Sequence, residues 1–415
     1  MTKVTDARTE VTLVGHCYAS IGMSEHVREV YRALRKAGAE ARIYDVYGQN
    51  EPTPSQREEF GDTLTQTLAP GLRIFHLNGD EIDLACRTIE AREPGSFARG
   101  YNVIYPAWEL PIYPDVWARE LKRFDEVWAP SEFIRKSVAA AVNIPVLHMP
   151  LASEPRVTRD LTRRHFGIPE DRFVVLFLWD ALSYVARKNP DAVIEVFKRV
   201  IAERPLAPIH LVLKVNNAAR DAAAWRRLQI EVESFTDRVS FVERTLSDDE
   251  VKNLIRCSDC FISLHRSEGF GRGLAEAMYF GVPVIATGWS GNMDFMTADT
   301  SFPVDYTLVP VRDGEYPYPS GQHWAEPDLD QATAYLLALL ADPERGRAVG
   351  RAAGIHMRKC FSHRAQGVRY TTRIAEIERS VPCSRAKDKG RRRRARPLTA
   401  PLTSFSAARS SAKPR

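Results

Sequence analysis

The chain has 415 residues, of which 44% are hydrophobic and 27% charged, and its net charge is +5. This length is long for one core and predicts two domains, while no apolar run approaches the ~18 residues that cross a membrane. Residues 1–10 are polar and do not resemble a secretory signal, and the six scattered cysteines are typical of reduced thiols. Together these features predict a cytoplasmic protein.

The positive charge is concentrated at the C-terminal end. Residues 384–415 contain eleven Lys or Arg and one Asp, so residues 1–383 carry a net charge of −5. Because this segment has few apolar residues, we predict a disordered basic tail. Two interpretations remain open, a solvated extension and a peripheral contact with anionic lipid on the inner face of the membrane. Specific nucleic-acid binding is disfavoured because no aromatic residues interleave with the charges.

Strand and helix patterns alternate through the first part of the chain. The apolar spacing of residues 22–36 predicts a helix, and Ser131 is placed to cap another. Three prolines between 145 and 155 predict a domain boundary, so we assign 1–152 to an N-terminal domain of the doubly wound type. The strands are predicted at 11–15, 41–47, 72–77, 101–105 and 126–129.

The second part alternates more regularly. Helices are predicted from Asn189-Pro190 onward, at 225–234 and after a capping box at 247–250, and a terminal helix at 361–380. Strict alternation indicates a parallel sheet covered on both faces, so 153–359 form a second domain, and a cleft between two such domains is a natural active site. The strands are predicted at 173–179, 209–215, 239–242, 260–264 and 282–286.

The most informative segment follows the strand at 260–264. Three alternate glycines, at 269, 271 and 273, let the backbone approach a ligand closely, and a helix begins after them. Unpaired N–H groups and the helix dipole then favour an anion at this turn. Glu268 lies in the turn and Glu276 on the helix. Since a phosphate would repel both carboxylates, we expect them to accept hydrogen bonds from sugar and ribose hydroxyls beside the phosphates.

The Glu-x7-Glu spacing from Glu268 to Glu276, with Gly-Phe-Gly after the first Glu and Gly-x-Pro-Val-Ile-Ala beyond the second, resembles family 4 retaining glycosyltransferases of the GT-B fold. Residues 187–190 and 290–295 match further motifs, and the resemblance covers most of 10–380. It implies two Rossmann-like domains facing a cleft, with helix 360–383 packing back on the first domain.

The resemblance also implies an activity. A hexose of the mannose or glucose type would move from a nucleotide sugar to a glycan or lipid-linked acceptor, with retained configuration, in surface polysaccharide synthesis. The donor expected first is GDP-mannose and second a UDP-hexose. No cofactor is implied. The strand ends contain no Asp-x-Asp motif, so the sequence offers no evident metal site.

The site residues follow from the same resemblance. Glu268 would bind the donor sugar and Glu276 the ribose, while Lys188 would meet the diphosphate as a point charge, with Arg187 beside it. The remaining donor contacts that it implies are Gly269, Phe270 and Gly271 at the diphosphate, Asn292 and Asp294 at the nucleotide sugar, and Gly22 in a loop of the first domain.

The first domain departs from the family in two respects. Its glycine-rich loop is reduced to Ile21-Gly22-Met23, and no His follows the strand that ends at Tyr105. Glu109 is the nearest ionisable group and is a candidate to stabilise positive charge at the sugar carbon, although a capping or solvated role is equally open. His76 is a weaker candidate. No side chain suits a nucleophile, so we expect catalysis by electrostatic stabilisation of the departing nucleoside diphosphate.

Two alternatives therefore remain. One is another GT-B enzyme, such as a nucleotide-sugar epimerase. The other is a catalytically silent subunit that binds a sugar nucleotide. The missing His and the reduced glycine loop favour the silent subunit, whereas the intact pair of Glu268 and Glu276 argues against it.

Overall fold

A computed structural model describes residues 10–19, 21–48 and 50–380. The predicted basic tail, 384–415, lies outside these ranges. Within them the chain forms two six-stranded sheets, with helices between successive strands, and a two-stranded hairpin. Every strand pair in the two large sheets is parallel. The predicted α/β class with two doubly wound halves is confirmed.

The first sheet has the order β2-β1-β3-β4-β5-β6. All five residues of the interior strand β1 are buried, as expected for a parallel strand covered on both faces. Because β2 and β3 lie on opposite sides of β1, the chain reverses direction there and opens a crevice beyond the strand ends. The strands are β1 Val11–Gly15, β2 Ala41–Asp45, β3 Gly71–Phe75, β4 Gly100–Ile104, β5 Glu126–Ala129 and β6 Val146–His148.

The helices of the first half include the two that the sequence predicts. The apolar face of α1 buries Val27, Val30 and Leu34, and Ser131 caps α5 by accepting from the N–H of Ile134 at 3.3 Å. The helices are α1 Gly22–Lys36, α2 Pro54–Phe60, α3 Ile82–Arg92, α4 Asp115–Leu121 and α5 Glu132–Ala139.

The second sheet has the order β12-β11-β10-β7-β8-β9. Its first strand along the chain, β7, lies between β10 and β8, so the corresponding crevice lies beyond the ends of β7 and β10. The strands are β7 Phe173–Asp180, β8 Ile209–Asn216, β9 Val239–Val242, β10 Cys260–Ser263, β11 Val284–Thr287 and β12 Phe302–Val304.

The helices of the second half correct two details. Lys188 ends a one-turn helix that the sequence pattern does not predict, and the long helix that follows begins at Pro190. The helix predicted at 225–234 begins three residues earlier and ends at Glu231, where a 3₁₀ segment follows. The capping box of Ser247 and Glu250 is confirmed. The helices are α6 Val185–Lys188, α7 Pro190–Glu203, α8 Ala222–Glu231, α9 Asp248–Arg256, α10 Arg272–Phe280, α11 Leu329–Ala341 and α12 Pro343–Cys360.

Two elements connect the halves. The hairpin β13 Tyr306–Pro310 and β14 His323–Pro327 was not predicted, because β13 is mostly exposed and lacks an alternating apolar pattern. The terminal helix α13, His363–Ser380, packs on α1 so closely that Gly367 touches the carbonyl of Ala33. The hydroxyl of Tyr370 on α13 also donates to Pro150 O at 2.6 Å. Helix α13 therefore returns to the first half.

Candidate donor site

The charged residues of the predicted site meet at the crevice of the second sheet. Strands β7 and β10 are direct neighbours, so their carboxyl ends open at the same edge. The segment after β7 leads to Arg187 and Lys188 on α6, and the turn after β10 carries Glu268. Sheet topology thus brings together groups that are 80 residues apart in the chain.

The carboxylate of Glu268 lies between two cations. Lys188 Nζ donates to Glu268 Oε1, and Arg187 Nη1 lies 3.3 Å from Oε2. The Arg187 side chain is only 4% exposed and that of Glu268 12%, so this is a desolvated cluster. Arg187 also donates to the carbonyl of Ser267 at 2.8 Å.

Burial and the ion pairs act on these groups in opposite directions. Burial favours the neutral acid, but Lys188 and Arg187 outweigh it and lower the pKa of Glu268 from 4.5 to about 2. Burial lowers the pKa of Lys188, although Glu268 opposes that shift. At neutral pH Glu268 is therefore an anion that accepts hydrogen bonds and has no proton to give.

The glycine turn presents unpaired backbone donors. In the part of the chain that the structure describes, the N–H groups of 269–273 donate to no protein group. Gly271 adopts φ of +92° immediately before α10 begins at Arg272, a conformation that favours glycine. The helix ends at Phe280, and its C-cap Gly281 adopts the left-handed conformation. These donors and the helix dipole together suit an anion.

The turn is packed between neighbouring loops. A side chain at Gly291 would overlap the carbonyl of Gly269, and one at Gly269 would lie 3.1 Å from the carbonyl of Trp108. Ser131 Oγ, in the first half, donates to Gly269 O at 2.6 Å. The position of the turn therefore depends on both halves of the molecule.

Glu109 reaches the same cluster from the first half. Its carbonyl accepts from Ser267 Oγ, and its carboxylate accepts from the hydroxyl of Tyr316 at 2.6 Å. The Arg187 guanidinium lies 5.9 Å from the centre of the Tyr316 ring. Glu109 and Glu268 thus share Ser267 and Arg187 as neighbours, an arrangement that neither a free surface Glu nor a helix cap would have.

The second glutamate of the motif lies in a different charge cluster. Arg272 Nη2 donates to Glu276 at 3.1 Å. Burial raises the pKa of Glu276 despite this partner. The Glu25 carboxylate on α1 also attracts the Arg272 guanidinium. Glu25 and Glu276 together outweigh burial and raise the pKa of Arg272. The two glutamates of the motif are therefore separated along the turn and helix, each beside its own Arg or Lys.

Asn292 and Asp294 are engaged by protein groups. Asn292 is fully buried, with its amide donating to Thr287 O at 2.9 Å and its oxygen 3.1 Å from His265 Nε2. Asp294 accepts from the N–H of Glu132 at 2.9 Å and lies 2.7 Å from His148 Nε2. Their predicted contact with the nucleotide sugar stays a prediction.

The two remaining first-half candidates lie in contrasting surroundings. Gly22 is the exposed first residue of α1, with open space where a side chain would project. His76 is fully buried, with Nδ1 3.3 Å from Nδ1 of His26, and burial lowers its pKa to about 3. His76 is therefore neutral at physiological pH. At Gly22, no described group lies near the position that a side chain would occupy.

Several neighbours of the site had no signal in the sequence. Tyr316 lies between the strands of the unpredicted hairpin, and Ser267 donates across to Glu109. Ser131 was predicted only as a helix cap. A serine or tyrosine carries no periodic pattern that identifies its partner, so these contacts emerge only when the two halves are placed together.

Two kinds of feature are absent from the described ranges. No group of three or more His, Cys, Asp and Glu side chains there is arranged to hold a metal ion. None of the helices in that part of the chain is both long and apolar enough to span a bilayer.

The fold resembles solved structures across most of the chain. The Anabaena HepE protein, in complex with UDP and glucose, superposes with a TM-score of 0.65 at 12% identity, over 89% of this chain and all of that one. Sucrose-phosphate synthase from Thermosynechococcus elongatus gives 0.61 at 15% identity, over 90% of this chain and all of that one. At these identities the likeness establishes the fold, and the predicted GT-B architecture is confirmed.

Residues 158–353 match the family described as "Glycosyl transferases group 1". This segment of the chain is therefore similar to group 1 glycosyl transferases. The matched segment contains all of the second sheet from β7 to β12 and the charged cluster around Glu268.

Two curated relatives share part of this chain. One is the GDP-mannose-dependent monoacylated alpha-(1-6)-phosphatidylinositol monomannoside mannosyltransferase of Corynebacterium glutamicum, 29% identical over 194 residues, which are 45% of this chain and 44% of the relative. The other is the mannosylfructose-phosphate synthase of Agrobacterium fabrum, 32% identical over 135 residues, or 31% of this chain and 28% of the relative. The matches span less than half of either relative.

Proposed function

We propose that this protein is a retaining, metal-independent glycosyltransferase that transfers a hexosyl group of the mannose or glucose type from a nucleotide sugar to a glycan or lipid-linked acceptor. The observation that carries the proposal is the juxtaposition of Lys188, Arg187 and the unpaired N–H groups of 269–273 around Glu268. Cations and backbone donors suit a diphosphate, and an ionised carboxylate beside them suits sugar hydroxyls.

The chemistry follows from where charge develops. As the bond from the anomeric carbon to the nucleoside diphosphate breaks, the acceptor hydroxyl oxygen bonds to that carbon from the same face, and its proton passes to the departing phosphate. Until the proton arrives, negative charge grows on the phosphate oxygens. Lys188 exchanges its contact with Glu268 for one with the diphosphate, and the N–H groups of the turn share the remaining charge. Glu268, released from Lys188, accepts hydrogen bonds from the donor sugar. Glu109, with its carboxylate on Tyr316, stabilises positive charge at the sugar carbon.

The relatives support the choice of donor. GDP-mannose appears in the name of the Corynebacterium glutamicum relative, and a mannosyl product in that of the Agrobacterium fabrum relative. The Anabaena structure was determined with UDP and glucose. We therefore propose GDP-mannose as the first donor to test and UDP-glucose as the second. A role in surface polysaccharide synthesis and a cytoplasmic position remain predictions of the sequence.

The test is mass spectrometry of the full chain incubated with GDP-mannose or UDP-glucose, with and without a mixed glycan acceptor and with EDTA present. We expect release of one nucleoside diphosphate, faster with acceptor, and an α-linked product by NMR. Lys188→Ala should lose at least about a hundredfold in turnover, while Gly61→Ala, a glycine without close neighbours across the chain, should not change turnover.

Three results would contradict the proposal. Donor binding without release, under every acceptor, would favour the silent subunit. Conversion of the donor into an isomeric nucleotide sugar without acceptor would indicate an epimerase. Loss of all turnover with EDTA, restored by a divalent cation, would overturn the metal-independent mechanism.

A further inference from the structure

An aromatic band joins the two halves beside the donor site. It consists of Tyr184, Tyr316, Trp108, Trp117 and Tyr318, in that spatial order. Successive ring centres are 4.8, 5.7, 5.0 and 5.1 Å apart. Two of the rings belong to the first half of the chain and three to the second, so the band exists only when the halves are together.

The two ends of the band face solvent. Tyr184 is 42% exposed and Tyr318 45%, whereas Tyr316 is 8% and Trp108 2% exposed. Both exposed tyrosines also have positive φ, +63° and +51°. This conformation is uncommon for a bulky side chain, and such strain clusters at ligand clamps and active sites. The fold therefore holds two large rings in strained, solvent-facing positions.

The band is built directly onto the proposed donor site. The carbonyl of Tyr184 accepts from the N–H groups of Arg187 at 3.1 Å and Lys188 at 3.2 Å. The second ring of the band, Tyr316, donates to the carboxylate of Glu109. A molecule resting on the exposed rings would consequently lie next to the reacting groups.

Polar groups accompany the rings. Trp117 packs against Gly79, and the next residue, Asp80, is an exposed carboxylate. A pyranose presents C–H groups on one face and hydroxyls at its rim. Exposed rings suit the C–H face, and Asp80, next to the glycine on which Trp117 packs, suits the hydroxyls. The carboxylates of Asp80 and Glu109 would repel anionic lipid headgroups, which makes a bilayer the poorer occupant.

We propose that Tyr184 and Tyr318 are specificity-determining contacts for a pyranose unit of the acceptor. The inference rests on the proposed function, since it assigns the occupant of the band as acceptor. Tyr184 packs on Tyr316, whose hydroxyl donates to Glu109, so a sugar ring stacked on Tyr184 would bring an acceptor hydroxyl toward that carboxylate. Tyr318 lies at the other end of the band, on Trp117.

Saturation-transfer NMR without any donor tests the contact. The probes are methyl α-mannopyranoside and methyl α-glucopyranoside, whose weak binding suits this method. We expect saturation of the ring C–H protons, lost in Tyr318→Ala and in Tyr184→Ala. Tyr306→Ala, a 38% exposed tyrosine on β13 outside the band, is the matched control and should bind as the wild type does.

Kinetics provide the second measurement. Tyr318→Ala should raise the KM of the acceptor about tenfold, with the KM of the donor and acceptor-independent hydrolysis unchanged, and Tyr318→Trp should restore the acceptor KM. Tyr318→Gly relieves the positive φ. It should therefore remain folded and still lose the acceptor effect, which separates the contact from a folding defect.

Unchanged saturation in both Tyr→Ala variants would overturn the inference. It would also fail if Tyr318→Ala abolished binding to phosphatidylglycerol vesicles and left the sugar signal intact, since the patch would then be a membrane contact. If no nucleoside diphosphate is ever released but the sugar signal still requires Tyr318, the proposed function fails while the carbohydrate contact stands.

Discussion

The carboxylate of Glu268 is held by Lys188 and Arg187 in a largely buried cluster. Desolvating three charged groups is costly, and their attraction repays that cost only when every partner is present. The cluster is therefore poor evidence of net stabilisation, but removing one member would leave uncompensated charge. In the proposed reaction the same cluster is opened by the donor, whose diphosphate replaces Glu268 as the partner of Lys188.

Glu268→Gln should destabilise the protein and abolish turnover. The substitution leaves two buried cations without their anion, a loss on the order of 3 kcal/mol in the free energy of unfolding. Because the pKa of Glu268 falls from 4.5 unfolded to about 2 folded, its contribution is complete above pH ~4.5. It is lost as the pH falls toward 2.

Urea unfolding of the wild type and Glu268→Gln between pH 7 and pH 3 measures this contribution. The difference in unfolding free energy should be constant from pH 7 to 5 and should narrow below pH 4.5. The double variant Lys188→Met with Glu268→Gln should recover part of the lost stability, because it removes an unpaired cation. A difference in unfolding free energy that stays constant down to pH 3 would contradict the ion pair of Glu268 with Lys188 and Arg187.

Among the elements, the glycine turn before α10 is tightly constrained. Its backbone touches Gly291 on one side and, through Gly269, the first half on the other. The glycine turn therefore packs directly against the 3₁₀ turn Gly291–Asp294. The direct contact of this 3₁₀ turn with the nucleotide sugar stays a prediction. Its structural role follows from the packing at Gly291, where a side chain would not fit.

Gly291→Ala should weaken donor binding more than any other single alanine in this loop. The new methyl group would meet the carbonyl of Gly269 and that of Glu268, so the turn must shift and its N–H groups lose their alignment. We expect at least a tenfold rise in the donor Kd by calorimetry, together with a lower Tm.

Gly22→Ala is the comparison for that variant, since nothing lies within reach of a side chain at Gly22. It should keep the Tm of the wild type or exceed it, because alanine reduces the entropy of the unfolded chain. A raised donor KM in Gly22→Ala with unchanged stability would support the predicted role of this glycine. A normal donor Kd in Gly291→Ala would show that the turn tolerates displacement.

The whole molecule is organised by contacts between its halves. Ser131 bonds to Gly269, Asp294 bonds to Glu132, and α13 returns to α1. The connection from β6 to β7 contains residue 152, the proposed domain limit. These contacts place the loops of the first sheet against the glycine turn. We therefore expect the proposed catalysis to depend on how the two halves pack together.

Removing residues 384–415 tests the predicted contact of the basic tail with anionic lipid. The deletion takes away a net charge of +10, so binding to vesicles that contain phosphatidylglycerol should fall by at least tenfold at 0.1 M salt. Turnover with a soluble acceptor and the Tm should stay at wild-type values. Cosedimentation measures the binding, with neutral phosphatidylcholine vesicles as control. Equal vesicle binding by both chains would favour the solvated-extension interpretation.

Much of this architecture was predictable because its signals are local. Continuous apolar runs located ten of the twelve strands of the two large sheets within two residues, whereas the three-residue strands β6 and β12 were missed. The capping box of Ser247 and Glu250 located a helix start. The glycine turn and its two glutamates were recognisable because all of the motif lies within ten consecutive residues. The hairpin β13–β14 was missed because its exposed strand carries no such pattern.

The sequence by itself therefore determined the alternating strand and helix order, the GT-B architecture and the position of the glycine turn. Tertiary structure alone decided which groups meet there. Glu109 and Tyr316 are 207 residues apart, and Ser131 and Gly269 are 138 apart. The physical reason is that hydrogen bonds and ion pairs depend on distances of about 3 Å, which packing of the two sheets sets and local periodicity does not encode.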